Sequence, residues 1–131
     1  MVKQKFNFSE RSLNRLQYAH PDLVKITKRA IQLSPFDFGI TESIRSFERQ
    51  QEMLAKGLSQ TLKSKHLPDE QGYSRAIDIV AYINGKVTWD WEPYIEISKA
   101  FKEAAKEYNL SIIWGGDWQT IKDGVHFELK G

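Results

Sequence analysis

The chain has 131 residues, no cysteine, a formal net charge of +2 and 40% hydrophobic residues. That length supports one domain with its own core, and the missing thiols exclude a disulfide framework, a zinc ribbon and a cysteine nucleophile. A net charge this small is well short of the basic density that nucleic-acid binding requires.

Met1 to Phe6 has no apolar stretch of the secretory kind, and no run in the chain is long enough to span a bilayer. The expectation is synthesis in the cytoplasm without an export signal of its own. Ser9 caps a short helix carrying Leu13 and Leu16, and the His20-Pro21 step ends it and starts the next. There Leu23, Ile26, Ala30 and Leu33 recur at helical spacing until Ser34-Pro35 breaks the run. His20 at that junction reads as a cap rather than a metal ligand. Phe38, Ile40 and Ile44 alternate with Gly39, Thr41 and Ser43, which predicts a strand over 38–44. Arg45 ends it as a solvated charge by default. A helix over 47–56 follows, closed by Gly57, with Gln50 on it as an exposed position.

Leu58 to Tyr73 is a polar loop that carries Ser64 and His66. Asp78 then sits between Ile77 and Ile79 in a β pattern. Asn84-Gly85 is a hairpin-turn signal, so 86–88 returns as a short strand. Trp89 and Trp91 are expected over the next helix, 92–108, where Tyr94, Ile97, Phe101, Ala104, Ala105 and Tyr108 share a face. A β run over 110–114 is bent by Gly115-Gly116, and Asp117-Trp118 follows as a candidate cleft wall. Val125, Phe127 and Leu129 alternate with His126 and Glu128, so a strand here turns His126 away from the core. With no repeat, low-complexity tract or linker, the architecture expected is a single α+β domain. Its helices pack on one side of a small, mostly antiparallel sheet, and the other face holds the site.

His66, Asp78 and His126 are the residue types that hold catalytic zinc, which takes three protein ligands and leaves a position for water. A carboxylate inside so apolar a run as that around Asp78 is costly unless its face opens onto a polar site or an ion. Asp69 and Glu70 are the competing carboxylates. They follow Pro68 in a loop, and rigid elements place ligands better than loops do. Asp123 precedes His126 across Gly124, so it is expected at the entry to the strand, close enough to move protons without joining the ligands. These residues point to a zinc amidase or peptidase.

The series Ser-x-His, Ala-x-Asp and an acidic residue three places before a final His resembles the VanY-type D-alanyl-D-alanine carboxypeptidases and the LAS group of zinc peptidases. Within that group Ile44-Arg45-Ser46, Gln50, Ala55-Lys56-Gly57, Tyr82-Ile83-Asn84-Gly85-Lys86, Gly115-Gly116-Asp117-Trp118 and His126-Phe127-Glu128 are similar to the phage L-alanyl-D-glutamate endopeptidases, which lyse bacterial walls. The resemblance runs from Pro21 to Leu129. It implies a Hedgehog and D-Ala-D-Ala-peptidase-like fold, Zn²⁺ on His66, Asp78 and His126, and Asp123 as the proton carrier. It assigns Arg45 to substrate anchoring or to the developing oxyanion, for which a planar, permanently charged fork is suited. Gln50 would support Arg45 or the substrate, with Ser64 and Trp118 also in the substrate site.

The same resemblance implies a monomer acting on peptidoglycan, with no nucleic acid and no stable membrane insertion. The enzyme would stay in the host cytoplasm until lysis and then reach the periplasm and cell wall, with access opened by a separate pore-forming holin. A D-alanyl-D-alanine or L,D-carboxypeptidase would use the same ligands, and a peptidase-like binding module could keep zinc without turnover. Asp123 speaks against the second. In one respect the chain departs from the family. The usual Ser-x-His-x-x-Gly-x-Ala-x-Asp is stretched by the segment Leu67 to Arg75.

Overall fold

The alternation read in two strands separates a core from a site. In the computed structural model, which describes residues 6–57, 64–119 and 122–130, strands β1 (Asp37–Glu42), β2 (Ala76–Ile83), β3 (Lys86–Thr88), β4 (Ile112–Trp114) and β5 (His126–Leu129) form one sheet. Its order is β1-β2-β5-β4, with β3 added to β2, and every pairing is antiparallel. Phe38 and Ile40 of β1, Ile77, Ile79 and Ala81 of β2, and Phe127 and Leu129 of β5 belong to the core. Successive strand residues face opposite ways, so Asp78, His126 and Glu128 fall on the other face.

The core face is covered by α2 (Pro21–Leu33) and α4 (Trp91–Glu107). Leu23, Ile26 and Ala30 meet Tyr94, Ile97, Phe101 and Ala104 in the same cluster, and Phe101 stacks on Phe127 with ring centroids 4.0 Å apart. Burying one such ring contributes about 1.5–3 kcal/mol. His20 caps α2, its Nδ1 accepting the amide of Asp22 at 3.1 Å. Asn84 and Gly85, with φ of 52° and 78°, make the tight β2–β3 turn that the dipeptide predicts.

The short α1 (Glu10–Leu16), capped by Ser9, covers the open edge of β1. Ser12 Oγ accepts the Ile40 amide at 3.0 Å and Arg15 Nη1 donates to the Ile40 carbonyl at 3.0 Å. An unpaired strand edge is a template for aggregation, and these two side chains occupy it.

Two boundaries differ from the sequence reading in ways that matter for the site. β1 ends at Glu42 rather than Ile44; a register shift between Ile40 and Glu42 passes over Thr41, and Glu42, opposite Asp78, is the last paired residue. The β run before the glycines is shorter than 110–114, being Ile112–Trp114, and Gly115–Asp117 makes a single 3-10 turn. The helix expected over 47–56 is α3 (Phe47–Ala55), and the one expected over 92–108 begins one residue earlier. Trp89 stacks on Tyr94, whereas Trp91 lies edge-on to Trp114. No helix among the described residues is long and apolar enough to cross a membrane.

Candidate active site

Strand register brings the site together. Asp78 lies opposite His126 across the β2–β5 pair, and the bulge in β1 sets Glu42 opposite Asp78 on the other side. Glu42, Asp78 and His126 therefore form a row across three neighbouring strands. His66 arrives from the loop before β2. Its backbone carbonyl accepts the Arg45 amide at 2.8 Å, and the neighbouring Lys65 carbonyl accepts the Arg75 amide at 2.9 Å.

The segment that stretches the family spacing is a closed turn. Pro68 and Ser74 form an antiparallel bridge, the Asp69 amide donates to the Tyr73 carbonyl, and the Asp69 carboxylate accepts the amides of Gln71 and Tyr73. The inserted residues loop out and return, leaving His66 and Asp78 in contact although they are twelve positions apart. Asp69 is consumed by this turn, while Asp78 joins the histidines. Leu58 to Lys63 lie outside the described residues.

His66 Nε2 and His126 Nδ1 lie 3.2 and 3.4 Å from Asp78 Oδ1. His66, Asp78 and His126 offer ligand atoms that all fall within 4.8 Å of one another, a group able to hold a metal ion. Their other contacts set the tautomers. His66 Nδ1 is 2.8 Å from the Ser43 carbonyl, which can only accept, so Nδ1 carries a proton and Nε2 is the nitrogen that faces Asp78. His126 Nε2 is 2.8 Å from Glu128 Oε1, so Nδ1 is the nitrogen that faces Asp78 there. The donor set is of the chemistry and proximity that could hold a metal ion.

Electrostatics agree with this division of roles. Burial works against the Asp78 carboxylate, but hydrogen bonds from His126 and His66 overcome it and hold its pKa well below the ordinary range. Burial likewise opposes charge on His126, yet Asp78 and Glu128 raise its pKa to about 9 in the absence of metal. Asp123 moves the other way. Burial raises its carboxyl, and the Asp78 charge adds to the rise. It lies just before β5, as the spacing suggested, where its carbonyl accepts the His126 amide at 3.2 Å.

Arg45 is buried rather than solvated, its guanidinium enclosed by Glu42, Gln50 and Ser64. Its guanidinium grips Glu42 with Nε and Nη2 at 2.6 and 2.8 Å, donates from Nη1 to Gln50 Oε1 at 2.7 Å, and reaches Ser64 Oγ at 3.5 Å. Nη2 lies 4.0 Å from Asp78 Oδ2. Gln50 is fully buried, not the exposed helical glutamine that the residues alone suggest. Trp118 packs on His126 with centroids 5.1 Å apart.

Four participants escaped the sequence reading. Glu42 and the Ser43 carbonyl depend on the bulge, and Ser74 Oγ, 2.8 Å from that same carbonyl, on the loop closure. None of these has a local signature. Glu128 had one, since it shares the His126 face by strand alternation.

A family model for phage L-alanyl-D-glutamate peptidase matches residues 4–129. The chain belongs to that family. It is 37% identical over 129 residues to the L-alanyl-D-glutamate peptidase of Escherichia phage T5, covering 95% of this chain and 90% of the relative. It is 30% identical over 121 residues to the peptidoglycan L-alanyl-D-glutamate endopeptidase CwlK of Bacillus subtilis, covering 78% and 66%. Among solved structures, the crystal structure of the Serratia marcescens L-Ala D-Glu endopeptidase ChiX matches with a TM-score of 0.86 and 39% identity, over 96% of this chain and 92% of that one. Family and fold thus agree with the α+β architecture and the peptidase chemistry read from the residues.

Proposed function

We propose that this peptidase hydrolyses the L-alanyl-D-glutamate amide of the peptidoglycan stem peptide, with Zn²⁺ held by His66, Asp78 and His126. The observation that carries the metal assignment is the spacing of the donors. Zinc bonds of about 2.0–2.1 Å in tetrahedral array set neighbouring donors about 3.3–3.4 Å apart. Asp78 Oδ1 stands 3.2 and 3.4 Å from the two ring nitrogens.

Bound there, zinc supplies a water that ionises near neutral pH and a Lewis acid for the amide carbonyl. The chain's own residues do the rest. Asp123, with its raised carboxyl, accepts the proton released as the amide carbon is attacked and returns it to the leaving amine. Arg45, held rigid by Glu42 and Gln50, supplies fixed positive charge beside the reacting group, or anchors a substrate carboxylate through the Ser64 side. Trp118 forms the wall next to His126.

The names of the relatives support the choice of bond. As a wall hydrolase of the phage kind, the enzyme would act as a monomer, wait in the host cytoplasm, and reach the periplasm through the pore of a separate holin. The test is removal and return of the metal. Wall lysis should stop when a chelator strips the protein and resume with Zn²⁺, and undiminished lysis by the stripped protein would refute the metal centre.

A further inference from the structure

We infer that Glu128 is the positioning residue for His126 and that Lys65 holds Glu128 to that task, a role that rests on the metal centre proposed above. Glu128 stands two places along β5 from His126 and on the same face of the sheet. Its two oxygens are divided between two partners. Oε1 is 2.8 Å from His126 Nε2, and Oε2 is 3.3 Å from Lys65 Nζ. Lys65 Nζ also donates to the Leu129 carbonyl at 2.9 Å.

The first contact fixes chemistry. A neutral imidazole can carry its proton on either nitrogen and can turn about its side-chain bonds, so an unrestrained ring presents a lone pair to the ion only part of the time. A carboxylate accepting from Nε2 locks the proton there and leaves Nδ1 facing Asp78, the arrangement by which carboxylates orient metal-binding histidines. The second contact restrains the carboxylate itself. An acidic side chain in contact with one ligand and on the same face of the sheet could swing in as a fourth and fill the position a water needs. With Oε2 on Lys65, Glu128 stays behind the ring. Lys65 also precedes His66 directly, so its bonds to Glu128 and Leu129 clasp the loop bearing one ligand to the strand bearing another. Both groups are partly shielded from water, their side chains being 33% and 14% exposed.

The experiment compares the full-length wild type with E128A, E128Q and K65M. Zn²⁺ affinity is measured by competition with a chromophoric chelator, and the imidazole nitrogens of the zinc-loaded proteins are followed by ¹⁵N NMR. E128A should weaken zinc by about 10–100-fold. E128Q should weaken it less, because the amide oxygen still accepts from Nε2, and its spectrum should keep the His126 proton on Nε2. K65M should retain zinc but lose turnover as the freed carboxylate enters the open position. Wild-type zinc affinity in E128A overturns the role of Glu128, and wild-type turnover in K65M overturns that of Lys65. If E128A does not fold, a His126 proton on Nδ1 in zinc-loaded wild type or E128Q overturns the inference by itself. Failure of the wild type to bind zinc would instead remove the metal centre beneath it.

Discussion

Gly115 and Asp123 touch backbone to backbone. The Asp123 amide donates to the Gly115 carbonyl at 3.0 Å, and the Asp123 carbonyl fills the space that a Cβ on residue 115 would need. The same Cβ would press on the Cβ of His126 at 3.1 Å. The turn that delivers both a ligand and the proposed base is therefore seated on a residue with no side chain. Gly115→Ala should destabilise the chain by about 1–3 kcal/mol, the usual effect of forcing a methyl into packed structure. Turnover should fall further than stability alone explains. Denaturant unfolding beside wall-lytic assays checks this, and an active, fully stable Gly115→Ala would show that the turn can shift without harm.

Asp123 and Asp78 should separate cleanly on mutation. Asp123→Ala should keep its zinc while turnover drops by about a hundred-fold to ten-thousand-fold, the range for loss of a general base. Asp78→Ala should lose the metal first. Zinc stoichiometry and turnover measured on the same samples decide the matter. An empty site in Asp123→Ala with a loaded one in Asp78→Ala would reverse the two assignments.

The metal-free protein should show a pH signature of the same cluster. The folded pKa of His126 is about 9, above its unfolded value of 6.5, so its contribution to stability is complete below 6.5 and fades as pH rises through 9. Asp78 is held below its unfolded value of 3.8, so its contribution is complete above 3.8 and is lost as pH falls further. The His126–Asp78 contact enters both shifts, with Glu128 adding to that of His126 and His66 to that of Asp78, and the plateau lies between 3.8 and 6.5. Unfolding of chelator-treated protein across pH should show the alkaline decline, and a flat profile from 6.5 to 9 would contradict it. Because zinc must displace the His126 proton, calorimetry in buffers of different ionisation heat should also detect proton release on binding at neutral pH.

Arg45 should prove irreplaceable by lysine. Its fork makes two bonds to Glu42 and one to Gln50, and an ammonium cannot occupy that geometry. Hydrogen bonds to charged groups contribute about 1.5–3 kcal/mol each at most, so Arg45→Lys should cost about that much in denaturant unfolding. A variant as stable as wild type would mean that the fork is not structural.

The sequence carried most of the fold, because alternation in β2 and β5 and the helical stripe of α4 are local patterns that tertiary packing did not override. Asp78 and His126 were readable for the same reason: each interrupts an apolar alternation on the face opposite the core. Arg45 and Gln50 differ from what the residues alone suggest, since their burial depends on partners brought together by the fold: Glu42, Ser64 and each other. The interval between His66 and Asp78 is longer than the family spacing, and the Pro68 to Ser74 bridge shows the extra residues closing on themselves. Glu128 was within reach, being two places from a ligand on a strand.

Mass spectrometry of fragments released from purified peptidoglycan tests most directly which bond is cut. Zinc-loaded wild type should free stem peptides beginning with D-glutamate and leave L-alanine as the new C-terminus on the glycan, and the chelator-treated protein should release neither. Release of terminal D-alanine alone, or fragments with new reducing sugar ends, would contradict cleavage at the L-alanyl-D-glutamate bond.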